Sequence, residues 1–358
     1  MSQPVAAGVA GVVLELVEAQ RDLGWSVTLV CPPGPLAERA LGLGVEVRDW
    51  PARRHPGVGT VVEALRLRRI LRELAPDVVH LHSSKAGLVG RVVLRGRRLT
   101  LFQPHMWSFQ SAAGVVGRAS RAWERLGARW THLLVCVSDD ELAVGRAAGV
   151  DGPAEVVCNG VDIDRFRPGD RVAARWRLGL PEKAPTAVCV GRLAPFKGQD
   201  QLLAAWPEVR AKVPDARLVL VGDGPMRERW QAACDDESVR WWGHDDSVSD
   251  FYAAADVVVL PSRAEGMALV PLEAMACGRS VVAFDVGGVR QSVGEAGAVL
   301  PVGDVGALVE AVALRLADPA LADREGAHGR RRVELLFDRR QVADQIAMLV
   351  DKLVVGVR

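Results

Sequence analysis

The sequence predicts an α/β protein of two doubly wound, parallel-sheet domains, on three observations. Short runs of continuous Val/Leu character recur along all 358 residues, as parallel strands covered on both faces require. Amphipathic stretches of helical period separate them, giving strand–helix alternation from end to end. A proline- and charge-rich segment near Asp164–Pro185 then interrupts the pattern before a fresh strand restarts it, and a chain of this length favours two domains over one overgrown core.

Taken in order, the first element is an anomaly. A Rossmann-like domain opens with a strand, a Gly-containing loop and a helix. Here the loop, Ala7-Gly8-Val9-Ala10-Gly11, and the helix are present, but only Met1–Val5 precede them, so the first strand reads as truncated. Strands follow at Val27–Val30, Val78–Leu81 and Leu133–Val137, with a helix over Val61–Leu74 and a strand before Pro104-His105. After the short helical stretch RVAARWRLGL, strands recur at Ala187–Val190, Leu218–Val221, Val257–Leu260 and Val281–Phe284, with a helix over Gln201–Lys212. Arg339–Val355 is amphipathic, outlasts the alternation and reads as a terminal helix. The expected domains are 1–166 and 167–338, with 339–358 crossing back to the first.

Bulk properties exclude several classes. Net charge is +1, so whole-chain electrostatics select no polyanion. The six cysteines lie far apart with no C-x-x-C pair, which suits small core residues in a reduced, cytoplasmic protein. No apolar run is long enough to span a bilayer, and the N-terminus lacks the pattern of a signal peptide.

Chemistry concentrates in the second half. In AVCVGRLAPFKGQD, Arg192 and Lys197 flank a turn at the carboxyl end of a strand, where parallel sheets bind ligands; spaced to straddle one anion, they suit a diphosphate. Two solvated surface charges are the plainer reading. LVLVGDGP runs a strand into a Gly-Asp-Gly turn. In ADVVVLPSRAEGMALVPLEAMACG a buried strand ends at Pro261-Ser262, a polar loop carries Glu265, and an apolar helix contains Glu273. A buried carboxylate needs a partner, which ribose hydroxyls would supply to Glu273, unless it is simply an acid favoured by the helix dipole. The N–H groups of Met267, Ala268 and Leu269 would open that helix toward phosphate oxygens. The glycine pair of AFDVGG allows close backbone approach after a further strand.

G-R-L-x-x-x-K-G, V-G-D-G-P and E-G-x-x-L-V-P-L-E-A-M-A-C-G together resemble the donor-binding half of retaining glycosyltransferases of family four, the group 1 transferases. The resemblance covers nearly the whole chain. It implies a GT-B fold, two Rossmann-like domains facing a cleft, with a nucleotide-sugar donor and no essential metal or other cofactor. By the same resemblance Arg192 and Lys197 would hold the diphosphate, Glu273 the ribose and Glu265 the donor sugar. The backbone around Trp242-Gly243-His244 would flank the base, and the loop at Gly8 and Gly11 would approach the phosphates. Ala268 stands where the family often has Gly, a mild departure if φ stays negative. The expected reaction is retaining transfer of a hexose, from UDP-sugar in preference to GDP-sugar, to a glycan, lipid-linked or small-molecule acceptor. A non-catalytic nucleotide-sugar-binding protein, supported by the truncated first strand, and a nucleotide-sugar epimerase are the alternatives.

The first half is thinner in signal. His80 and His82 share one face of an extended chain, but no third ligand is near in sequence and no metal site is expected. SSKAGLVGR resembles a segment of a polysaccharide- and antibiotic-type subset of the family, which brings Lys85 near the cleft, and His82 and Lys85 are the acceptor-side candidates. In LFQPHMWSFQ, His105 follows a strand and a proline, and the resemblance puts it close to the donor sugar as a catalytic group. Asn159-Gly160 in CNGVDIDRFRP is a turn at the inter-domain crossover. From Arg48 to Arg129 sixteen Lys/Arg oppose five acids, a net of +11. Such excess is usually a solvated face. Interleaved with Trp107, Phe109, Trp123 and Trp130, it would alternatively seat on anionic lipid, at the inner face of the membrane. No nucleic-acid recognition motif accompanies it.

Overall fold

The computed structural model describes residues 1–4, 7–110, 112, 114–245 and 247–357. The chain divides into two compact units, Met1–Gly160 with Arg339–Arg358, and Val161–Asp338. Among the described residues twelve strands run β1 (Thr28–Cys31), β2 (Glu46–Asp49), β3 (Val78–His82), β4 (Leu99–Gln103), β5 (Leu133–Cys136), β6 (Ala154–Val156), β7 (Thr186–Val190), β8 (Arg217–Val221), β9 (Val239–Gly243), β10 (Val257–Leu260), β11 (Ser280–Phe284) and β12 (Gly297–Leu300). Every ladder between them is parallel.

In the first unit β1 pairs with β2, and β3 to β6 form a four-stranded sheet in sequence order. Met1 and Ser2 join the two. Ser2 N donates to Val30 O (3.1 Å), His82 N donates to Met1 O (2.9 Å), and Ser2 pairs in parallel with His82. Two residues thus do the work of the expected short strand, whose last residue, Val5, lies outside those described. The segment 7–11 is not the expected loop: Ala7–Asp22 is one helix, and Gly8 and Gly11 sit in its first turns. A Cβ on Gly11 would meet nothing within 4 Å, so no close backbone approach holds that segment open within its unit. The core joins Val79, Leu81, Phe102, Trp107, Leu134 and Cys136 to Leu67 and Leu71 of the helix Thr60–Leu74. The closing helix, Arg339–Val357, packs on Ala7–Asp22, with Arg339 bonded to Glu18 (3.1 Å).

The second unit is one six-stranded sheet, β12-β11-β10-β7-β8-β9. Renumbered within the unit this is the Rossmann order 3-2-1-4-5-6, read backwards. The direction of winding reverses between β7 and β10, and open α/β sheets bind ligands at the carboxyl end of that switch point. The strands are valine-rich because helices cover both faces. Leu218, Leu220, Val257, Val259, Val282 and Phe284 are at most 1% exposed and pack with Leu202, Trp206, Leu308 and Val312. Each such side chain contributes about 1.5–3 kcal/mol of burial. The first unit ends at Gly160, short of the expected 166, because Val161 donates to Phe337 O (2.8 Å) and Phe166 packs edge-on against Tyr252.

Candidate active site

In the second unit the expected donor residues gather at the carboxyl ends of the strands flanking the switch point. After β7 the chain makes a single 3-10 turn, Pro195–Lys197, closed by Gly198 at φ 71. Glycine is needed there: a Cβ would run into the Pro261 carbonyl oxygen, which belongs to the loop after β10. Gly287 (φ 52) is required for the same reason against Gly266, where Gly288 N donates to Gly266 O (2.7 Å). Backbone contact of this closeness stacks the loops after β7, β10 and β11 into one rim.

Side chains tie the rim together. Lys197 Nζ donates to Glu265 Oε1 (2.6 Å), and Ser262 Oγ donates to the same oxygen (2.6 Å). Arg263 makes paired bonds to Asp200 (2.7 and 2.8 Å), donates to Pro195 O (2.6 Å), and sends its own N–H to Phe196 O (2.8 Å). The arginine pulls Asp200 below the usual carboxylate range. Arg192 is exposed, and among the described residues none hydrogen-bonds its guanidinium.

The helix after Glu265 opens at Leu269, with Ala268 as its cap at φ −68 and no side chain capping it. The negative φ explains why alanine serves where glycine is common. Pro271 carries no N–H, so the helix opens with the N–H groups of Ala268, Leu269 and Val270; Met267, the first of the expected trio, lies outside the helix and Val270 takes its place. Glu273 is partly buried, and the Tyr252 hydroxyl donates to its Oε2 (2.5 Å). Burial raises the Glu273 pKa, offset in part by Tyr252 and by the nearby Arg165. Gly243 ends the edge strand β9 at φ 100, with its carbonyl accepting from Gly222 N (2.6 Å), while Trp242 packs edge-on against Phe251.

In the first unit the candidates lie where β3 and β4 end. Ser83, His105 and Met106, none of them glycine, have φ of 70, 59 and 142. Strained backbone clustered at strand ends is the mark of a functional site. His82 Nδ1 lies 3.1 Å from His105 Nε2, with the rings stacked at 5.4 Å, and His80 packs on His82 at 3.9 Å. Burial holds all three imidazoles neutral: His80 and His105 titrate at about 3, and His82 also lies well below its ordinary value. The loop that carries His105 is pinned by Trp107, which donates to Glu141 O (2.7 Å) and stacks on Phe109. Lys85 is 4% exposed, its ammonium held by Glu63 (2.6 Å) and Thr60 (3.0 Å). No described group of three or more His, Cys, Asp or Glu could hold a metal ion.

The basic stretch resolves differently from its expected form. Lys85 and Arg91 are buried in ion pairs, Arg91 with Glu124 at 2.6 Å. Trp107 and Phe109 are core residues, and Trp123 and Trp130 pack on each other, half-buried. The aromatics are mostly spent on the loop and the core, although exposed Arg121 lies over the Phe109 ring at 5.4 Å. Valines and leucines take their place: Val61, Val62 and Leu65 are 62–68% exposed beside Arg66, Arg68, Arg69 and Arg72. On the helix Gly114–Ala128, Val115 and Val116 stand exposed near Arg118 and Arg121.

Sequence alone left Tyr252, Arg263, Asp200 and Val270 unnamed, and gave Ser262 only as the end of a strand. Arg263 had a signal, a charge two residues before Glu265 in the same polar loop; the others had none.

Comparison with known proteins agrees with this geometry. Residues 6–165 match the model of glycosyltransferase family 4, and residues 184–318 that of glycosyl transferases group 1. The chain is 33% identical over 323 residues to a GDP-mannose-dependent α-mannosyltransferase of Mycobacterium tuberculosis, covering 84% of this chain and 82% of the relative. It is 38% identical to a GDP-mannose-dependent monoacylated α-(1-6)-phosphatidylinositol monomannoside mannosyltransferase of Corynebacterium glutamicum, covering 82% and 80%. Among solved structures, sucrose-phosphate synthase from Thermosynechococcus elongatus superposes with a TM-score of 0.85 at 26% identity, over 99% of this chain and 96% of that one. Fold and comparisons together define a glycosyltransferase of the GT-B class. Within that class, the chain belongs to glycosyltransferase family 4.

Proposed function

We propose that the chain transfers mannose, with retention of configuration, from GDP-mannose to a lipid-linked acceptor. The observation that carries this reading is the donor named for the relatives from Mycobacterium tuberculosis and Corynebacterium glutamicum, both GDP-mannose, at 33% and 38% identity over more than three quarters of the chain. It weighs against the UDP-sugar favoured by the sequence. The exposed valine, leucine and arginine face of Thr60–Leu74 supports an acceptor held at an anionic membrane surface; no described helix is long and apolar enough to cross a membrane.

In this reading Arg192, Lys197 and the N–H groups of Leu269 and Val270 hold the diphosphate. Glu273 takes the ribose and Glu265 the sugar, while the backbone at Gly243 flanks the base. The bond from the anomeric carbon to the phosphate oxygen breaks as the acceptor oxygen bonds to that carbon from the same face. The acceptor's proton passes to the leaving phosphate, so no protein nucleophile is needed. Cations and helix N–H groups aimed at the charge that develops on the diphosphate supply the main electrostatic help. Calorimetry with GDP and UDP, followed by a nucleotide-sugar panel with phosphatidylinositol mannoside acceptors and anomeric analysis of the product, tests the reading. Tighter binding of UDP, or turnover with a UDP-sugar alone, overturns the donor; an inverted product overturns the mechanism.

A further inference from the structure

The histidines at the ends of β3 and β4 form a linked pair, and the two rings meet through different nitrogens: Nδ1 of His82 and Nε2 of His105, 3.1 Å apart. Both rings are neutral because burial disfavours their cations, so one hydrogen, and only one, lies between those nitrogens. A neutral imidazole in water favours the form with hydrogen on Nε2. When both rings take that form, the Nε2–H of His105 donates to the bare Nδ1 of His82. The opposite arrangement requires both rings to take the less favoured form.

Three features hold this geometry in place. His82 is 4% exposed, and its backbone N–H is fixed by Met1 O. His80 packs against its ring at 3.9 Å, which blocks rotation. His105 is presented from a strained backbone at φ 59, whose loop Trp107 anchors to Glu141. The Nδ1 of His105 meets no partner among the described residues, and the residue is partly exposed.

From this geometry we infer that His82 is a positioning residue that locks His105 in its Nε2–H form, so that His105 presents a bare, hydrogen-bond-accepting Nδ1 to a substrate hydroxyl. The inference rests on the reading of His105 as a group of the transfer site. Under it His105 is an acceptor, neither a proton donor nor a cation, and His82 acts through it without touching substrate.

Long-range proton–nitrogen NMR of the ¹⁵N-labelled protein reads the tautomer directly. The wild type is expected to show His105 in one form, protonated at Nε2. In His82→Phe, which removes the partner nitrogen, His105 is expected to become a mixture, with kcat reduced about tenfold and nucleoside diphosphate affinity within twofold of wild type. In His82→Asn a side-chain polar atom stands near the place of Nδ1, and it is expected to restore most of kcat. A wild-type His105 protonated at Nδ1, or a tautomer ratio unchanged in His82→Phe, overturns the inference. Should His82→Phe fail to fold, the wild-type spectrum and His82→Asn still decide it. Failure of the underlying reading looks different: His105→Ala would then transfer at the full rate whatever the tautomer.

Discussion

Lys197 and Glu265 were expected to face different parts of the donor, one the diphosphate and the other the sugar. In the structure they face each other at 2.6 Å. In the proposed reading, a diphosphate at Lys197 would compete with Glu265 for the ammonium, and the ion pair would act as a rival to nucleotide. Glu265→Gln removes the rival charge while keeping the shape. The expected outcome is free GDP bound several-fold more tightly by calorimetry, with transfer reduced tenfold or more because the proposed sugar contact would be lost. Weaker GDP binding in this variant would mean that Glu265 orients Lys197 for the phosphate and does not restrain it. Glu273 teaches a related point. Its partly buried carboxylate has a partner in the protein, the Tyr252 hydroxyl, so the apolar helix holds it without need of a ribose contact.

At the scale of elements, the 3-10 turn that carries Lys197 is too short to hold its own shape. Arg263 holds it from outside, through the Pro195 and Phe196 carbonyls and the Asp200 carboxylate. Arg263 and Asp200 are exposed enough that their ion pair adds little to stability. Their effect belongs to binding: Arg263→Ala is expected to leave the thermal midpoint within about 2 °C, as for most exposed substitutions. Nucleoside diphosphate affinity should fall about five- to twentyfold, with partial rescue by Arg263→Lys, in equilibrium titration. The loop bearing His105 has a comparable anchor in Glu141. Burial pushes this carboxyl up to about 8, partly countered by the N–H groups of Val137 and Met106. Folded, it is protonated below that pH; unfolded, it ionises near 4.5. Over that window the unfolded state binds fewer protons, so stability falls as pH rises, by up to ~1.4 kcal/mol per pH unit. Chemical denaturation of Glu141→Gln between pH 5 and 8 should show that slope flattened. The neutral histidines act in the opposite sense, losing stability as pH drops from 6.5 toward about 3.

On the scale of the molecule, the charge of the first unit sorts into two kinds. Buried cations are matched by Glu63 and Glu124, and the remainder lie outward on helices that also expose aliphatic side chains. If the outward face seats on lipid, Val62→Glu combined with Leu65→Glu should reduce sedimentation with phosphatidylinositol-containing vesicles several-fold. Folding and donor hydrolysis should be unaffected, and raised salt should weaken the wild type, since each interfacial Lys/Arg adds about 1 kcal/mol. Equal sedimentation of both proteins would leave the face as solvated surface.

The same division runs between what was legible and what was not. All seven strands marked by continuous apolar runs are strands in the structure, and the helices Val61–Leu74, Gln201–Lys212 and Arg339–Val355 were placed within two residues. The strands that escaped, β2, β6, β9 and β12, are the edges of their sheets. An edge strand is covered less completely, so Glu46, Arg48 and Arg240 are tolerated there and the apolar run that marks a strand is broken. The positions of Arg192, Lys197, Glu265 and Glu273 were legible because each follows a strand that the pattern locates, and parallel sheets bind at that end. Residue order, burial pattern and strand-end chemistry are local, and the sequence by itself determined them. Only the tertiary structure decided that Met1 and Ser2 complete a sheet, that Lys197 meets Glu265 across 68 positions, and that His82 meets His105 across 23. Those contacts arise from which strands lie side by side, and no periodicity along the chain encodes the distance between two loops that meet only once the sheet is wound.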